Sequence, residues 1–234
     1  MKKIIVFSLW GDKEMYWKGA VENIKLAKTY YPDFTCRFYV DSSQKELAKK
    51  LESSNNTEIV FLKDEKSLKF PDERFTHTGL FWRFLPLKDN DIEILLSRDC
   101  DSRISFRESK AVEEWLKTDK NFHIMRDHPY HQVPILAGMW GCRNNILSNI
   151  DEYLINWGNH TKGRYQAEDQ DFLGQIIYPL VKNTSMEHSE FNISYGNNIK
   201  NFPTIRENYE FVGDVFDENN VRHPDYWKII KNNT

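Results

Sequence analysis

Two aspartates separated by one residue, Asp99-Cys100-Asp101, follow directly on an apolar run, Ile92-Glu93-Ile94-Leu95-Leu96, and are flanked by Ser97-Arg98 and Ser102-Arg103. In extended chain, side chains two positions apart point to the same side, with Cα atoms roughly 7 Å apart. Both carboxylates can therefore serve one cation. Hard divalent ions such as Mg²⁺ and Mn²⁺ take oxygen ligands, commonly one or two carboxylates together with substrate phosphates. An Asp-x-Asp in isolation is as well explained by a polar loop, since loops favour aspartate. Its place at the end of a hydrophobic run favours the metal reading, because ligands of open α/β sheets gather outside the carboxyl ends of the strands.

A second dense stretch, Gln166-Ala167-Glu168-Asp169-Gln170-Asp171, opens an apolar helix that is expected to run to Tyr178 and stop at Pro179. The helix dipole alone favours acids there, yet Asp169 and Asp171 are more carboxylate than a cap requires. Arg83 is the lone charge in His77–Leu87, read as a short helix burying Leu80, Phe84 and Leu87. An arginine so placed is costly unless paired, and it has two partners open to it, an acid near the Asp99 strand end or a phosphate. Asp41 ends a strand and could hold a ribose hydroxyl or cap the turn at Ser42-Ser43. His128 and His131 lie in a polar turn that could contact a ligand, ligate metal or simply face solvent. His188 is a lone histidine in a polar segment, a setting in which histidine is ordinarily structural or exposed.

These groups need a scaffold, and the chain order supplies one. Ile4 to Gly11 reads as a buried parallel strand. Met15 to Tyr31 has helical periodicity ended by Pro32, and Phe34 to Asp41 is a second strand. Gln44 to Leu51 is a helix and Glu58 to Leu62 a third strand. Such a βαβαβ order builds a mostly parallel sheet with helices on both faces. The Asp99 strand follows, then a helix from Ser105 to Leu116 with a capping-box spacing to Glu108, and a strand Phe122–Arg126. Ile135–Arg143 reads as a strand whose Gly138 and Gly141 mark a close approach of backbone to ligand. Asn144 to Trp157 is an amphipathic helix, and turns are expected at Gly196-Asn197-Asn198 and Gly213-Asp214.

The 234 residues, 40% of them hydrophobic, suit one α/β domain, 1–234. A formal charge of −3 argues against nucleic acid as a partner. The 14% aromatic content suits either a large core or a cleft that stacks on rings. Cys36, Cys100 and Cys142 are too far apart for a disulfide framework or zinc motif. A reducing, cytoplasmic location is expected. The N-terminal apolar run is too short to span a membrane and has no small-residue cleavage site.

The order of an N-terminal βαβ half, an arginine-bearing helix, Asp99-Cys100-Asp101, Asp169-Gln170-Asp171 and a later His188 resembles metal-dependent glycosyltransferases of the GT-A fold. It is most similar to the glycogenin and bacterial lipopolysaccharide galactosyltransferase type. The run Arg98-Asp99-Cys100-Asp101-Ser102-Arg103 also resembles small bacterial and viral glycosyltransferases with an Arg-Asp-x-Asp-Ser-Arg signature. The resemblance covers most of 1–195 and implies a mixed, mostly parallel α/β sheet. It also implies a nucleotide-binding half at about 1–103 and a sugar and acceptor half at about 104–234. Asp99, Asp101 and His188 would hold Mn²⁺ (or Mg²⁺) on the donor diphosphate. Ser8, Leu9, Trp10 and Asp41 would line the nucleotide pocket, with Arg83 near the donor sugar or the aspartates. Asp169, Gln170 and Asp171 would face donor and acceptor. The family's His-x-x-Gly-x-x-Lys-Pro tail is absent, since Ser189-Glu190-Phe191-Asn192 follows His188.

The implied reaction is transfer from a nucleoside diphosphate sugar, UDP favoured, to a glycan or glycolipid hydroxyl, with retention of configuration. A nucleotidyltransferase shares the sheet and acids but needs a glycine-rich loop that Ser8-Leu9-Trp10-Gly11-Asp12 does not make. An aspartyl phosphatase would carry its Asp-x-Asp after the first strand. A catalytically silent sugar- or nucleotide-binding module of the same fold would bind without metal.

Overall fold

Ile4, Ile5, Val6 and Phe7 are fully buried and form the middle of β1 (Lys2–Leu9), the strand around which the sheet is laid. The structure is a computed structural model and describes residues 1–52, 54–62, 78–143, 146–161, 168–191, 195–196 and 199–233. On one side β1 pairs in parallel with β2 (Thr35–Asp41), and β3 (Thr57–Leu62) continues parallel to β2. On its other side β1 pairs in parallel with β4 (Ile92–Ser97). The sheet then runs through β6 (Trp140–Arg143), β5 (Phe122–Arg126), β7 (Ser185–Ser189) and β8 (Ile199–Lys200). Its order among the described residues is 3-2-1-4-6-5-7-8, with β6 antiparallel to both neighbours and every other pair parallel. The expected mixed, mostly parallel sheet is what the chain forms.

The chain leaves β1 toward β2 and β3 and returns on the opposite side as β4. The carboxyl ends of β1 and β4 therefore open side by side at a switch point, where such sheets leave a crevice. Alternate residues of β1 feed two cores. Ile5, Phe7 and Leu9 pack with Trp17 and Ile24 of α1 (Glu14–Tyr30) and with Val112 and Trp115 of α3 (Phe106–Leu116). Ile4 and Val6 face Phe81, Phe84, Trp140, Phe172 and Ile177 on the other side. Helix α1 buries Trp17, Ala20, Ile24 and Ala27 at helical spacing and ends before Pro32, a residue that disfavours helical geometry in the one preceding it. Helix α3 starts as its capping signal requires, the Ser105 hydroxyl accepting from the Glu108 N–H at 3.2 Å.

Several boundaries differ from the pattern-based expectation. Gln44–Leu51 is a 3₁₀ turn, Ser42–Gln44, followed by the short α2 (Lys45–Ala48). Thr78–Lys88 is a 3₁₀ rather than an α-helix, with Gly79 near its start and Pro86 inside it, both poor α formers. It buries Phe81, Trp82, Arg83, Phe84 and Leu87, while Leu80 is half-buried. Strand β6 covers only the last part of the expected Ile135–Arg143 run. Helix α4 is Ile150–Thr161, a start later than Asn144. The helix of the second acidic stretch does not stop at Pro179. From α5 (Glu168–Phe172) it passes through a π turn, Leu173–Ile177, into α6 (Tyr178–Val181), so that Pro179 sits at the start of a new segment, where its missing N–H is tolerated. His77, Asn144, Gln166, Ala167, Asn192, Asn197 and Asn198 lie outside the described residues.

Strand β7 was hidden by its sequence, Ser185-Met186-Glu187-His188-Ser189, all five residues buried. Its polar side chains are satisfied by neighbours. Glu187 accepts from Arg126 Nη1 at 2.7 Å with both side chains at 0% exposure, and Ser185 Oγ donates to Glu187 Oε1 at 3.1 Å. No described helix is long and apolar enough to cross a membrane; the closing helix is α7 (Pro224–Asn233).

Candidate active site

A cleft of about 450 Å³ opens at the paired ends of β1 and β4. Ser8, Leu9, Trp10, Gly11, Asp12 and Lys13 come to it from β1 and the turn beyond, Tyr16 from α1, Leu80 and Arg83 from the 3₁₀ segment, and Asp99, Cys100 and Asp101 from the loop after β4. The structure thus brings Ser8, Leu9, Trp10, Arg83, Asp99 and Asp101 into one concavity. Trp10 stands as a wall because Gly79 has no side chain, a Cβ there falling 2.5 Å from its indole. Its ring meets Trp82 edge-on at 5.9 Å. The Ser8 hydroxyl has no hydrogen-bond partner among the described residues.

Arg83 is the electrostatic centre of the cleft wall. Its Nη2 donates to Asp99 Oδ1 at 2.9 Å, and its Nε lies 3.4 Å from Asp169 Oδ2. Burial works against the guanidinium, but Asp99 and then Asp169 more than offset it and raise its pKa. Asp169 is 4% exposed, and burial raises its carboxyl pKa against the pull of Arg83. It does not itself line the cleft, and reaches it through Arg83. In the same helix Gln170 is half-buried and Asp171 exposed. Asp101 is pushed up to about 6, first by burial and then by the charge of Asp99. Two acids repel each other here, and a cation between them would relieve it.

The donor set has hard-cation chemistry: two carboxylates on the cleft, whose lining also includes Ser8 with a buried, unpartnered hydroxyl. Among the described residues no third His, Cys, Asp or Glu completes a group of three. His188 in particular is elsewhere. Both its ring nitrogens are taken, Nδ1 by His123 Nε2 at 2.8 Å and Nε2 by Glu114 Oε2 at 3.0 Å, and the ring is fully buried on β7. The lone histidine is a core residue and is not available as a third ligand. Asp41 is not itself among the lining residues, although it follows Val40, the register partner of Leu9; its Oδ1 accepts from Ser43 N–H at 2.8 Å as a turn cap. In the polar turn, His128 and His131 each use Nδ1 to accept a backbone N–H, of Tyr130 and Asp127 respectively, both at 3.0 Å. They shape the turn.

Pattern reading gave no role to the residues that hold the Asp99–Asp101 loop. Asn23, 1% exposed on the apolar face of α1, donates to Ser102 O and accepts from Ile104 N–H, each at 2.9 Å. An asparagine on a helix face otherwise made of Ala20, Ile24 and Ala27 was the signal for it. Gly19 lets the loop rest on α1, since a Cβ there would meet Cys100 O at 1.9 Å. Arg98 turns away from the cleft, pairing with buried Glu108 at 2.6 Å and donating to the carbonyls of Ser97 (2.7 Å) and Trp140 (3.0 Å). Gly138 is approached by the Asp99 carboxylate, whose Oδ2 lies 2.1 Å from where a Cβ would be, whereas Gly141 makes room for Leu96 and Trp115 in the core. Gly138→Ala is therefore expected to push Asp99 off Arg83 and lower stability by about 1–3 kcal/mol, read as a fall in urea midpoint.

No protein-family model matches the sequence, and no curated protein matches it. Solved structures do. One is a glycosyltransferase involved in the glycosylation of the major capsid of PBCV-1, with TM-score 0.51, 12% identity, and coverage of 81% of this chain and 82% of that one. Another is the galactosyltransferase LgtC in complex with donor and acceptor sugar analogs, with TM-score 0.51, 19% identity, and coverage of 79% and 73%. A third is the mannosyltransferase PcManGT from Pyrobaculum calidifontis in complex with GDP-Man and Mn²⁺, with TM-score 0.51 and 10% identity, covering 85% of this chain and 55% of that one. The strand order, the crevice between β1 and β4 and these likenesses agree, and the chain has the GT-A fold, a Rossmann-like, mostly parallel sheet flanked by helices.

Proposed function

We propose that the protein is a metal-dependent glycosyltransferase that moves a sugar from a nucleoside diphosphate donor, UDP-sugar favoured, to a hydroxyl of a glycan or glycolipid, with retention of configuration. The observation that carries this reading is the convergence of Asp99, Asp101 and Arg83 with Ser8, Leu9 and Trp10 in one cleft. One domain, 1–234, does the work in a cytoplasmic setting. Residues of about 1–103 bind the nucleotide, and those of about 104–234 serve sugar and acceptor.

Asp99 and Asp101 would hold Mn²⁺ or Mg²⁺, with the donor diphosphate and water completing its oxygen shell. A bound divalent ion stabilises negative charge developing on the departing diphosphate. Glycosyl transfer passes through an oxocarbenium-like state, like glycoside cleavage, so negative groups near the sugar assist. Ser8, Leu9 and Trp10 form the floor and wall against the nucleoside. Arg83 fixes Asp99 and is itself held by Asp169. Gln170 and Asp171 lie on the same helical turn as Asp169, toward donor and acceptor.

Asp169→Asn keeps volume and removes charge. It is expected to leave donor affinity within a few fold and to lower turnover by about 100-fold or more, a split between binding and chemistry that points to transition-state interaction. Calorimetry and donor-hydrolysis assays measure it, and a large loss of nucleotide affinity instead would place Asp169 with the metal. The reading as a whole is tested by titrating UDP-, GDP- and dTDP-sugars with and without Mn²⁺. Binding that ignores the metal would refute it in favour of a silent binding module.

A further inference from the structure

Three consecutive carbonyls of the aspartate loop are held by groups from outside it or from its far end. Arg103 Nη1 donates to Cys100 O at 3.2 Å and to Ser102 O at 3.0 Å. Phe216 N–H donates to Asp101 O at 2.9 Å. Ser102 and Val215 form an antiparallel bridge. Arg103 is 7% exposed. Its Nε donates to Asn220 Oδ1 at 2.9 Å, and its guanidinium lies 4.9 Å from the centre of the Phe216 ring. The turn that presents these groups supports itself. Phe216 bridges to Arg222, and Asp217 Oδ1 accepts from the N–H groups of Asn219 at 2.9 Å and Val221 at 2.8 Å. None of these contacts uses a carboxylate of the loop, so its backbone is fixed independently of the two acids, of which Asp99 is held separately by Arg83.

We propose that residues 215–222 are a clamp that sets the position of Asp101, with Arg103 and Asn220 as its positioning residues. What the clamp does for a bound cation rests on the transferase reading; that it holds the loop does not. Asn23 also holds Ser102 O, so what the clamp adds is its grip on Cys100 O and Asp101 O. Carboxylates sharing an ion must keep their separation, and a loop released at those two carbonyls loses it.

Asn220 has φ 62, so glycine, which takes positive φ freely, is the clean deletion of its side chain. Asn220→Asp keeps the acceptor. Hydrogen exchange followed by mass spectrometry on the peptide covering 99–104 is expected to be about tenfold faster or more in Asn220→Gly and unchanged in Asn220→Asp. In the presence of UDP, Mn²⁺ affinity by electron paramagnetic resonance is expected to fall about tenfold in the glycine variant and to return in the aspartate variant. Unchanged exchange in Asn220→Gly overturns the clamp. Faster exchange with unaltered Mn²⁺ affinity overturns its role in placing Asp101. Should the unaltered protein bind no Mn²⁺, the transferase reading fails, and the exchange result still decides the clamp.

Discussion

Asp101→Ala is expected to abolish Mn²⁺-dependent donor binding and to lower transfer by at least about 100-fold, as loss of a group that stabilises the transition state does. Its effect on stability should be the opposite. The loop holds its shape through backbone groups that the substitution leaves alone. The Asp101 carboxyl is pushed up to about 6 by burial and by Asp99. An aspartate whose folded pKa lies above its ordinary 3.8 opposes folding while ionised in both states. That penalty is present above about pH 6 and fades as pH falls from 6 toward 3.8. Without metal, the alanine variant should therefore unfold at the same or a higher temperature than the parent at pH 8, and the difference should close toward pH 4. A lower melting temperature at pH 8 would make Asp101 a structural residue. Intact transfer would remove it from the reaction.

Asp127→Ala is expected to cost about 3–5 kcal/mol, because it leaves buried charges without a partner. Asp127 is 0% exposed and accepts from Arg107 Nε at 2.8 Å and Nη2 at 3.0 Å, Arg206 Nη2 at 2.6 Å and Val212 N–H at 2.9 Å. Arg107, 1% exposed, also reaches Thr204 O at 2.5 Å and Glu190 at 3.1 Å. One carboxylate thus ties the end of β5 to α3 and to the segment from Thr204 to Val212. Urea unfolding should show the loss, and limited proteolysis should cut first between 204 and 216. Asp127→Asn keeps an acceptor oxygen and should lose less. A variant as stable as the parent would show that the segment stays attached by its apolar contacts around Phe202 and Val212 alone.

The first half of the fold was readable because apolar runs and helical periods alternate without interruption up to β3. Reading became harder where polar residues fill buried positions. Strand β7 looks like loop because its burial depends on Arg126, His123 and Glu114, partners distant in sequence that no local pattern reveals. The aspartate pair stood out by its position after a hydrophobic run, and Arg83 by being a lone charge among apolar neighbours, a prompt to seek its acids. His188 misled for the converse reason: its residue type suggested a ligand, while its surroundings make it part of the core. Arg98 and Arg103 attracted notice as part of a signature, yet what they grip is largely backbone, which leaves no trace in residue identity.

The clustering of Asn23, Arg98 and Arg103 on peptide groups makes the loop a frame that does not depend on the Asp101 side chain, whereas Asp99 is tied to Arg83 and Gly138. Histidine at position 101 would keep that frame and offer nitrogen instead of oxygen, shifting preference from manganese toward zinc or nickel. Such a substitution offers a route to retuning the protein's choice of ion without redesigning its chain path.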